Sequence, residues 1–230
     1  MSNAAISPSV ARTNPRPDRV GAQFLGRARA LRQAVADEEI KADRRIAAIC
    51  ERIHARYSRG KPVARMQTLQ DAERQWRETL PLRGRVAIET HLDLDQRTLR
   101  ITELRARPSM SVGSLDWDEL EPGLFLSAVG LEAMPRHFHA THLTLAIVSL
   151  HALARRYQRG LAIEDAAVIH DLRPLAEQHE AIMPAGPGSS FSVRCSGGGL
   201  WHGTVSIAYF VADRPTGILN VRTYVNGAMS

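Results

Sequence analysis

The amino-acid sequence has too little of several residues and patterns for some classes of protein. Two cysteines, Cys50 and Cys195, are too few for a disulfide framework or for a zinc site of their own. No apolar run approaches the roughly 18 residues of a spanning helix, so no membrane contact is expected. The first 20 residues lack the apolar centre of a secretory signal. The composition therefore predicts a soluble globular protein of the reducing cytoplasm.

Sequence signatures of known chemistry are also missing. There is no G-x-S-x-G nucleophile elbow, no H-E-x-x-H zinc motif and no G-x-G-x-x-G after a strand. The triple glycine Gly197–Gly199 lacks the Gly-Lys-Ser/Thr ending of a phosphate loop. Motifs thus assign no reaction, and we expect no cofactor.

Lysine is scarce, since Lys41 and Lys61 are the only two and arginine supplies nearly all positive charge. Together with abundant alanine, this bias is typical of a GC-rich genome. Residues 1–60 hold twelve Arg and Lys against six Asp and Glu, a net +6 that equals the charge of the whole chain. A basic N-terminal arm is therefore predicted, which binds a protein partner or nucleic acid or is merely solvated.

Periodicity divides the chain into three segments. Residues 1–20 have no periodic pattern and are predicted to form a disordered tail. Residues 21–80 show helical spacing broken near Pro62, which predicts a two-helix arm that docks on the body or mediates self-association. Residues 81–230 are predicted to form an α+β domain.

The stretch from Thr141 to Gly160 reads as the central helix of that domain. Its apolar side chains recur every three or four residues, and Gly160 follows as a C-cap. The members of this stripe are Leu143, Ile147, Leu150, Ala154 and Tyr157. A second helix, broken near Pro174, is expected to follow.

Alternating apolar residues predict the sheet. Residues 85–104 are expected to form a β-hairpin, and residues 191–225 a three-stranded meander. Residues 123–134 fit either a buried strand or a short helix. The predicted fold is α+β: the helical arm, then a central helix pair packed on an antiparallel sheet made of the hairpin 85–104 and the meander 191–225.

One candidate site follows from the central helix. Thr144, His151, Arg155 and Gln158 share a strip along the edge of the apolar stripe. Packing on the sheet is expected to bring this strip opposite Arg222, Thr223 or His202. The candidate catalytic residues are His151, Arg155, Gln158, Arg222 and Thr223.

In that site His151 would act as acid or base, with Arg155 and Arg222 as phosphate clamps. This chemistry predicts a metal-independent nuclease. In outline, a helix followed by a small antiparallel meander resembles the small bacterial endoribonuclease toxins, without a matching motif. The alternative is that His151 bonds a backbone carbonyl and the arginines cap the helix.

A second candidate site is the run His137, His139 and His142, which precedes the central helix. Imidazoles are the commonest ligands of zinc, and His139 and His142 would share a helical face. A helix N-terminus favours neutral histidines without any metal, and no fourth ligand has a recognisable spacing. Zinc is therefore the alternative to the absence of a cofactor.

Two functions from different classes remain. The first is a non-catalytic binding protein that acts through its basic helical arm. The second is the metal-independent nuclease centred on His151.

Overall fold

The computed structural model describes residues 19–59, 62–78, 83–93, 95–108, 122–134, 137–160, 163–196, 198–211 and 214–226. Helices and one sheet make up these residues, so the predicted α+β class is confirmed. The helices are α1 (Arg19–Arg59), α2 (Pro62–Glu78), α3 (Leu150–Arg159), α4 (Asp165–His170), α5 (Arg173–Glu177) and α6 (His179–Ile182). None of the described helices is long and apolar enough to cross a membrane.

The sheet has seven strands in the order β1-β2-β3-β4-β7-β6-β5. All neighbours are antiparallel except β4 and β7, which pair in parallel over three residues of each strand. The sheet is therefore mixed, whereas the sequence predicted an antiparallel one. Its strands are β1 (Arg85–Asp93), β2 (Thr98–Pro108), β3 (Pro122–Met134), β4 (His137–Ser149), β5 (Ser190–Arg194), β6 (Gly199–Val211) and β7 (Arg214–Asn226).

The predicted hairpin and C-terminal meander are both present as β1–β2 and β5–β7. The predicted central helix over 141–160 is wrong in its first half, because residues 141–149 belong to β4 and the helix begins at Leu150. β4 lies between β3 and β7, so apolar residues on both of its faces are buried. Residues 144–149 are buried on both faces, and this mostly apolar run imitates a buried helix, whereas residues 139–143 of the same strand are exposed.

The central helix pair consists of α3 and a series of short helices. The expected second helix is divided into α4, α5 and α6, with Pro174 in the first turn of α5. Ser149 caps α3 by accepting a hydrogen bond from the Ala152 backbone N–H, which marks where β4 turns into helix.

Helices cover both faces of the sheet. Leu104 and Ala106 of β2 alternate with Glu103 and Arg105, so the two pairs point to opposite faces. We name the faces by these residues, face A for Leu104 and Ala106 and face B for Glu103 and Arg105. The face A core includes α3, α4, α5 and the first half of α1, and the face B core includes α2 and the second half of α1.

Helix α1 contributes to both cores. Leu31 and Val35 lie in the face A core, while Ile49 and Ile53 lie in the face B core. At 1.5 Å per residue, this 41-residue helix is about 60 Å long. A helix that packs on both faces must pass around the edge of the sheet, and α1 does so beside the start of β1.

Gly84 permits this passage. A Cβ at position 84 would lie 2.2 Å from the Ala106 carbonyl oxygen and 3.1 Å from Val35 Cγ1. The Gly84 carbonyl also accepts a 2.7 Å hydrogen bond from Ala106 N–H, which extends the β1–β2 pairing to this corner. A larger residue here would push α1 or β2 away.

The predicted helical arm thus corresponds to α1 and α2, whose buried side chains belong to the same cores as the sheet. The predicted disordered tail lies outside the described residues, apart from Arg19 and Val20 at the start of α1.

Candidate functional site

Three of the predicted catalytic residues lie together on α3. The Arg155 guanidinium donates to Gln158 Oε1 at 2.9 Å and lies 3.5 Å from His151 Nε2, a long and weak contact. Thr144, the fourth member of the predicted strip, is buried on β4 and lies 3.5 Å from Ser127 Oγ. The strip on α3 is therefore His151, Arg155 and Gln158.

The strip combines a neutral imidazole with a cation. Partial burial lowers the pKa of His151, and the Arg155 guanidinium lowers it further. His151 is consequently uncharged at neutral pH and able to accept a proton. The neighbouring cations Arg156 and Arg159 have structural partners instead, because Arg156 pairs with buried Asp171 at 2.5 Å and Arg159 donates to the Tyr224 carbonyl.

The structure does not bring Thr223 to this strip. Thr223 pairs with His202, and the next pair along the strands is Tyr224 with Trp201. Trp201 and Tyr224 point into the face A core that contains α3, so Thr223 and His202 point to face B.

Arg222 lies in a β-bulge of β7, opposite the step from His202 to Gly203 in β6. Gly203 pairs with Val221 and His202 pairs with Thr223, which leaves Arg222 as the extra residue. Its carbonyl accepts a 3.3 Å hydrogen bond from Ser149 Oγ, and its side chain is exposed. Among the described residues, no hydrogen bond or ion pair joins this side chain to His151 or Arg155.

The three histidines predicted as metal ligands lie on β4 instead of a helix. Side chains three positions apart on a strand point to opposite faces. His139, which pairs with Glu132 of β3, therefore points to face A, and His142, which pairs with Val129, points to face B. No helical face therefore carries His139 and His142 together. The His137 side chain lies outside the described residues. In the described part of the chain, no three His, Cys, Asp or Glu side chains are grouped to hold a metal ion.

A site that the sequence did not reveal lies where α1 passes the sheet edge. Glu39 of α1 contacts two arginines of β2, with 2.7 Å from Glu39 Oε2 to Arg105 Nη2 and 2.5 Å from Glu39 Oε1 to Arg107 Nε. Asp43, one helical turn further, accepts a 2.9 Å hydrogen bond from Arg107 Nη2. His142 Nε2 lies 3.3 Å from Arg107 Nη1 at the exposed rim.

The same group of charges continues towards α2. Glu103, which has no exposed surface, accepts hydrogen bonds from Trp76 Nε1 at 3.0 Å and from Arg85 Nε at 2.8 Å. Its Oε1 also lies 4.0 Å from Arg105 Nε. We call this set the ionic cluster; its charged members are Glu39, Asp43, Arg85, Glu103, Arg105 and Arg107.

Carboxylates and guanidinium groups balance in the ionic cluster, three of each. Burial raises the pKa of the Glu39 carboxyl, an effect that Arg105 and Arg107 partly offset. Burial also lowers the pKa of His142, and the charges of Arg107 and Arg105 lower it further. Titratable groups with such shifts occur both in active sites and in structural ion pairs. Here each charge has a partner, which indicates anchoring of α1.

The acidic residues of α1 differ in whether they contact arginines of the body. Glu38 also faces the body, where its carboxylate accepts from Arg83 N–H at 2.6 Å and pairs with the guanidinium at 3.1 Å. The exposed acids without such a partner in the sheet are Asp37 and Glu51. Between residues 21 and 55 of α1, the exposed cations are Arg29, Lys41, Arg44, Arg45 and Arg52.

Another polar pair lies on the C-terminal meander. Ser192 Oγ is 2.6 Å from His202 Nδ1, across the β5–β6 pairing on face B. A serine and a histidine at this distance have the spacing of a nucleophile and its base. Among the described residues, no acid is hydrogen-bonded to His202, so the pair is not part of a described Ser-His-Asp arrangement.

No protein-family model, no curated protein and no solved structure matches this chain. Because no match assigns a function, the contacts and charges of the described residues are the basis for proposing one.

The anchoring role of the ionic cluster predicts a large effect of Glu39→Gln. Arg105, with 1% of its side chain exposed, would keep its charge while losing its closest carboxylate. We expect a loss of about 3 kcal/mol in the free energy of unfolding, measured by urea denaturation. Glu51→Gln, on the exposed side of the same helix, should change it by less than about 0.5 kcal/mol. Equal effects of the two substitutions would contradict the anchoring role.

Proposed function

We propose that this chain is a non-catalytic binding protein that docks its partner on the exposed side of α1. The observation that supports the proposal most strongly is that three acids of α1 contact arginines of the body while neighbouring cations of α1 are exposed. Glu38, Glu39 and Asp43 are engaged with arginines of the body, while Lys41 and Arg44 stay exposed. We call the side of α1 that carries Lys41, Arg44 and Arg52 the cationic side.

The helix that carries this surface is held along most of its length. Its second half is fixed by Ile49 and Ile53 in the face B core, and its first half by Arg27, which lies 4.3 Å from the centroid of the Tyr157 ring. A surface on a fixed helix loses little conformational entropy when a partner binds. The arm is therefore suited to binding as a preformed surface.

Substitution on the cationic side tests this proposal. Deletion of residues 1–60 would remove the core residues Leu31 and Val35 and unfold the domain. We expect the triple variant Lys41→Gln, Arg44→Gln and Arg52→Gln to fold but to lose the partner. Tagged wild-type and variant proteins are incubated with lysate of the source cells, and the retained protein and nucleic acid are quantified.

The matched control removes the same number of positive charges elsewhere. Arg100, Arg173 and Arg194 are exposed on β2, α5 and β5, and their replacement by glutamine should leave retention unchanged. Equal retention by wild type and both variants would overturn the proposal. Self-association, a further form of binding, is read from the molar mass of each protein by light scattering.

We propose the metal-independent nuclease as a second candidate, because His151 is neutral beside Arg155 and Gln158. In this role His151 accepts a proton from the attacking 2′-hydroxyl and Arg155 stabilises the negative charge on the phosphate. The bond from phosphorus to the 5′-oxygen breaks, and this oxygen leaves after taking a proton from solvent or from the protonated His151.

Arg222 and Thr223 do not join this strip in the structure, since Thr223 points to face B and the Arg222 side chain is exposed. Among the described residues the Arg222 side chain has no hydrogen bond to His151 or Arg155, so this candidate rests on the three residues of α3.

His151→Ala tests this second candidate. With EDTA present, we expect the variant to cleave RNA about 10²-fold to 10⁴-fold more slowly than wild type. Because the pKa of His151 is lowered, the wild-type rate should decline on acidification at a lower pH than for a base with the ordinary histidine pKa. His170→Ala, at an exposed histidine of α4, is the matched control.

An absence of cleavage by the folded wild-type protein would contradict the nuclease. Cleavage that requires added zinc would contradict it as well.

A further inference from the structure

We infer that two copies of this chain associate through β1, the strand at one end of the sheet, to form a symmetric dimer with a continuous sheet. The inference goes beyond the proposed function, because it concerns β1 and not the cationic side of α1. Among the described residues, β1 pairs with β2 on one side and with no strand on the other. β5, at the opposite end of the sheet, has five residues, whereas β1 has nine. Proteins shorten or interrupt edge strands that have to stay unpaired, and β1 is long enough to pair.

The outer edge of β1 has backbone groups without partners. In an antiparallel pair, alternate residues of an edge strand direct their N–H and C=O groups away from the neighbouring strand. Among the described residues, no hydrogen bond reaches the outward groups of β1 between Ala87 and Asp93. That segment contains no proline, glycine or lysine, the residues that weaken or block a sheet edge. The bulge of β1 lies before it, between Arg85 and Ala87.

The side chains of β1 are complementary to those of a second copy in one register. We place the two-fold axis of an antiparallel pair at Thr90, so that Thr90 meets its own copy. Ile88 then lies opposite Leu92, and two such pairs form because the axis exchanges the copies. Glu89 lies opposite His91, again twice, and an imidazole N–H can donate to the carboxylate. Aliphatic pairs and pairs of complementary polar groups both stabilise neighbouring strands.

The neighbouring registers are less favourable. A two-fold axis at Glu89 places this carboxylate opposite its own copy, and an axis at His91 places Glu89 opposite Asp93. Like charges directly opposite each other destabilise a strand pair. An axis further towards either end of β1 shortens the pair or draws the bulge into it. Registers that pair odd with even positions would put side chains of face A beside those of face B, which the pleat of a continuous sheet does not allow.

The pairing also extends the face B core. Ile88 and Leu92 pack against this core and keep part of their surface exposed, so contact between the copies removes apolar surface from water. Thr90 Oγ1, between them, accepts a 2.8 Å hydrogen bond from Arg77 Nε and donates at 2.6 Å to Glu73 Oε1. Each copy thus brings one cation and one carboxylate of α2 towards the axis, and their charges balance.

Charge reversal on β1 tests the register. By light scattering, we expect wild type to have twice the 25.4 kDa of one chain. His91→Glu places a carboxylate opposite Glu89 of the second copy at two positions and should weaken the dimer at least about tenfold. Within the chain, position 91 lies opposite Arg100, so the new carboxylate gains a favourable neighbour and the fold is kept. The double variant Glu89→Arg with His91→Glu has opposite charges again and should restore the dimer.

Disulfide formation measures the register independently. Thr90→Cys places two thiols at the axis, where opposite Cα atoms lie about 4.5 to 5.5 Å apart, and should cross-link under mild oxidation. A mixture of Glu89→Cys and tagged His91→Cys should form the mixed disulfide. Glu89→Cys alone should not cross-link, because its two copies lie about 8 Å apart. Wild type, which keeps Cys50 and Cys195, reports cross-links that do not involve β1.

The variant Lys41→Gln, Arg44→Gln and Arg52→Gln, which tests the cationic side, should dimerise as wild type does. Its dissociation would overturn the inference, because α1 would then form the contact. A monomeric wild-type protein would overturn it too, whatever the cationic side binds. The same holds for a dimer that persists in His91→Glu, for a double variant that stays monomeric, or for absence of the expected disulfides.

Discussion

Two carboxylates of one helix held against two arginines of one strand determine how this domain is arranged. Glu39 and Asp43 meet Arg105 and Arg107 where α1 passes the edge of the sheet. Glu39 and Arg105 are buried, so their charges persist only because each has a partner within a few ångströms, while the half-exposed Asp43 adds a contact at the rim. Before this point α1 packs on face A, and after it α1 packs on face B with α2.

The same contacts shape the outer surface of the protein. Glu38, Glu39 and Asp43 of α1 contact arginines of the body. Between residues 21 and 55 the exposed side of α1 carries more cations than acids, so it is basic in sum although it also presents Asp37 and Glu51. Because the helix is built into both cores, this basic surface has a fixed shape. Composition gives only the net charge of +6, whereas the structure shows which charged side chains of α1 are exposed.

The sequence predicted the elements better than it predicted the sites. The alternation in β1, β2, β6 and β7 was readable because each strand has one less buried face. β4 was not, because residues 144–149 are buried on both faces and Leu145 breaks the alternation as the extra residue of a bulge opposite β3. That error moved His139 and His142 onto a helix. The pairing of Glu39 with Arg105 joins residues 66 positions apart, and no local sequence pattern indicates such a contact. Only the Arg-x-Arg spacing of Arg105 and Arg107 gave a signal, by placing two cations on one face of a strand.

The measurement that tests this account most directly is native-state hydrogen exchange of α1, read by mass spectrometry on the full chain. If α1 belongs to both cores, the amides between Ala28 and Ile53 exchange only when the whole domain unfolds, with the same opening free energy as the amides of β3. If α1 were an appended arm, its amides would exchange through local opening at a markedly lower free energy while β3 stayed protected. That result would contradict the anchoring of α1 and, with it, the fixed basic surface.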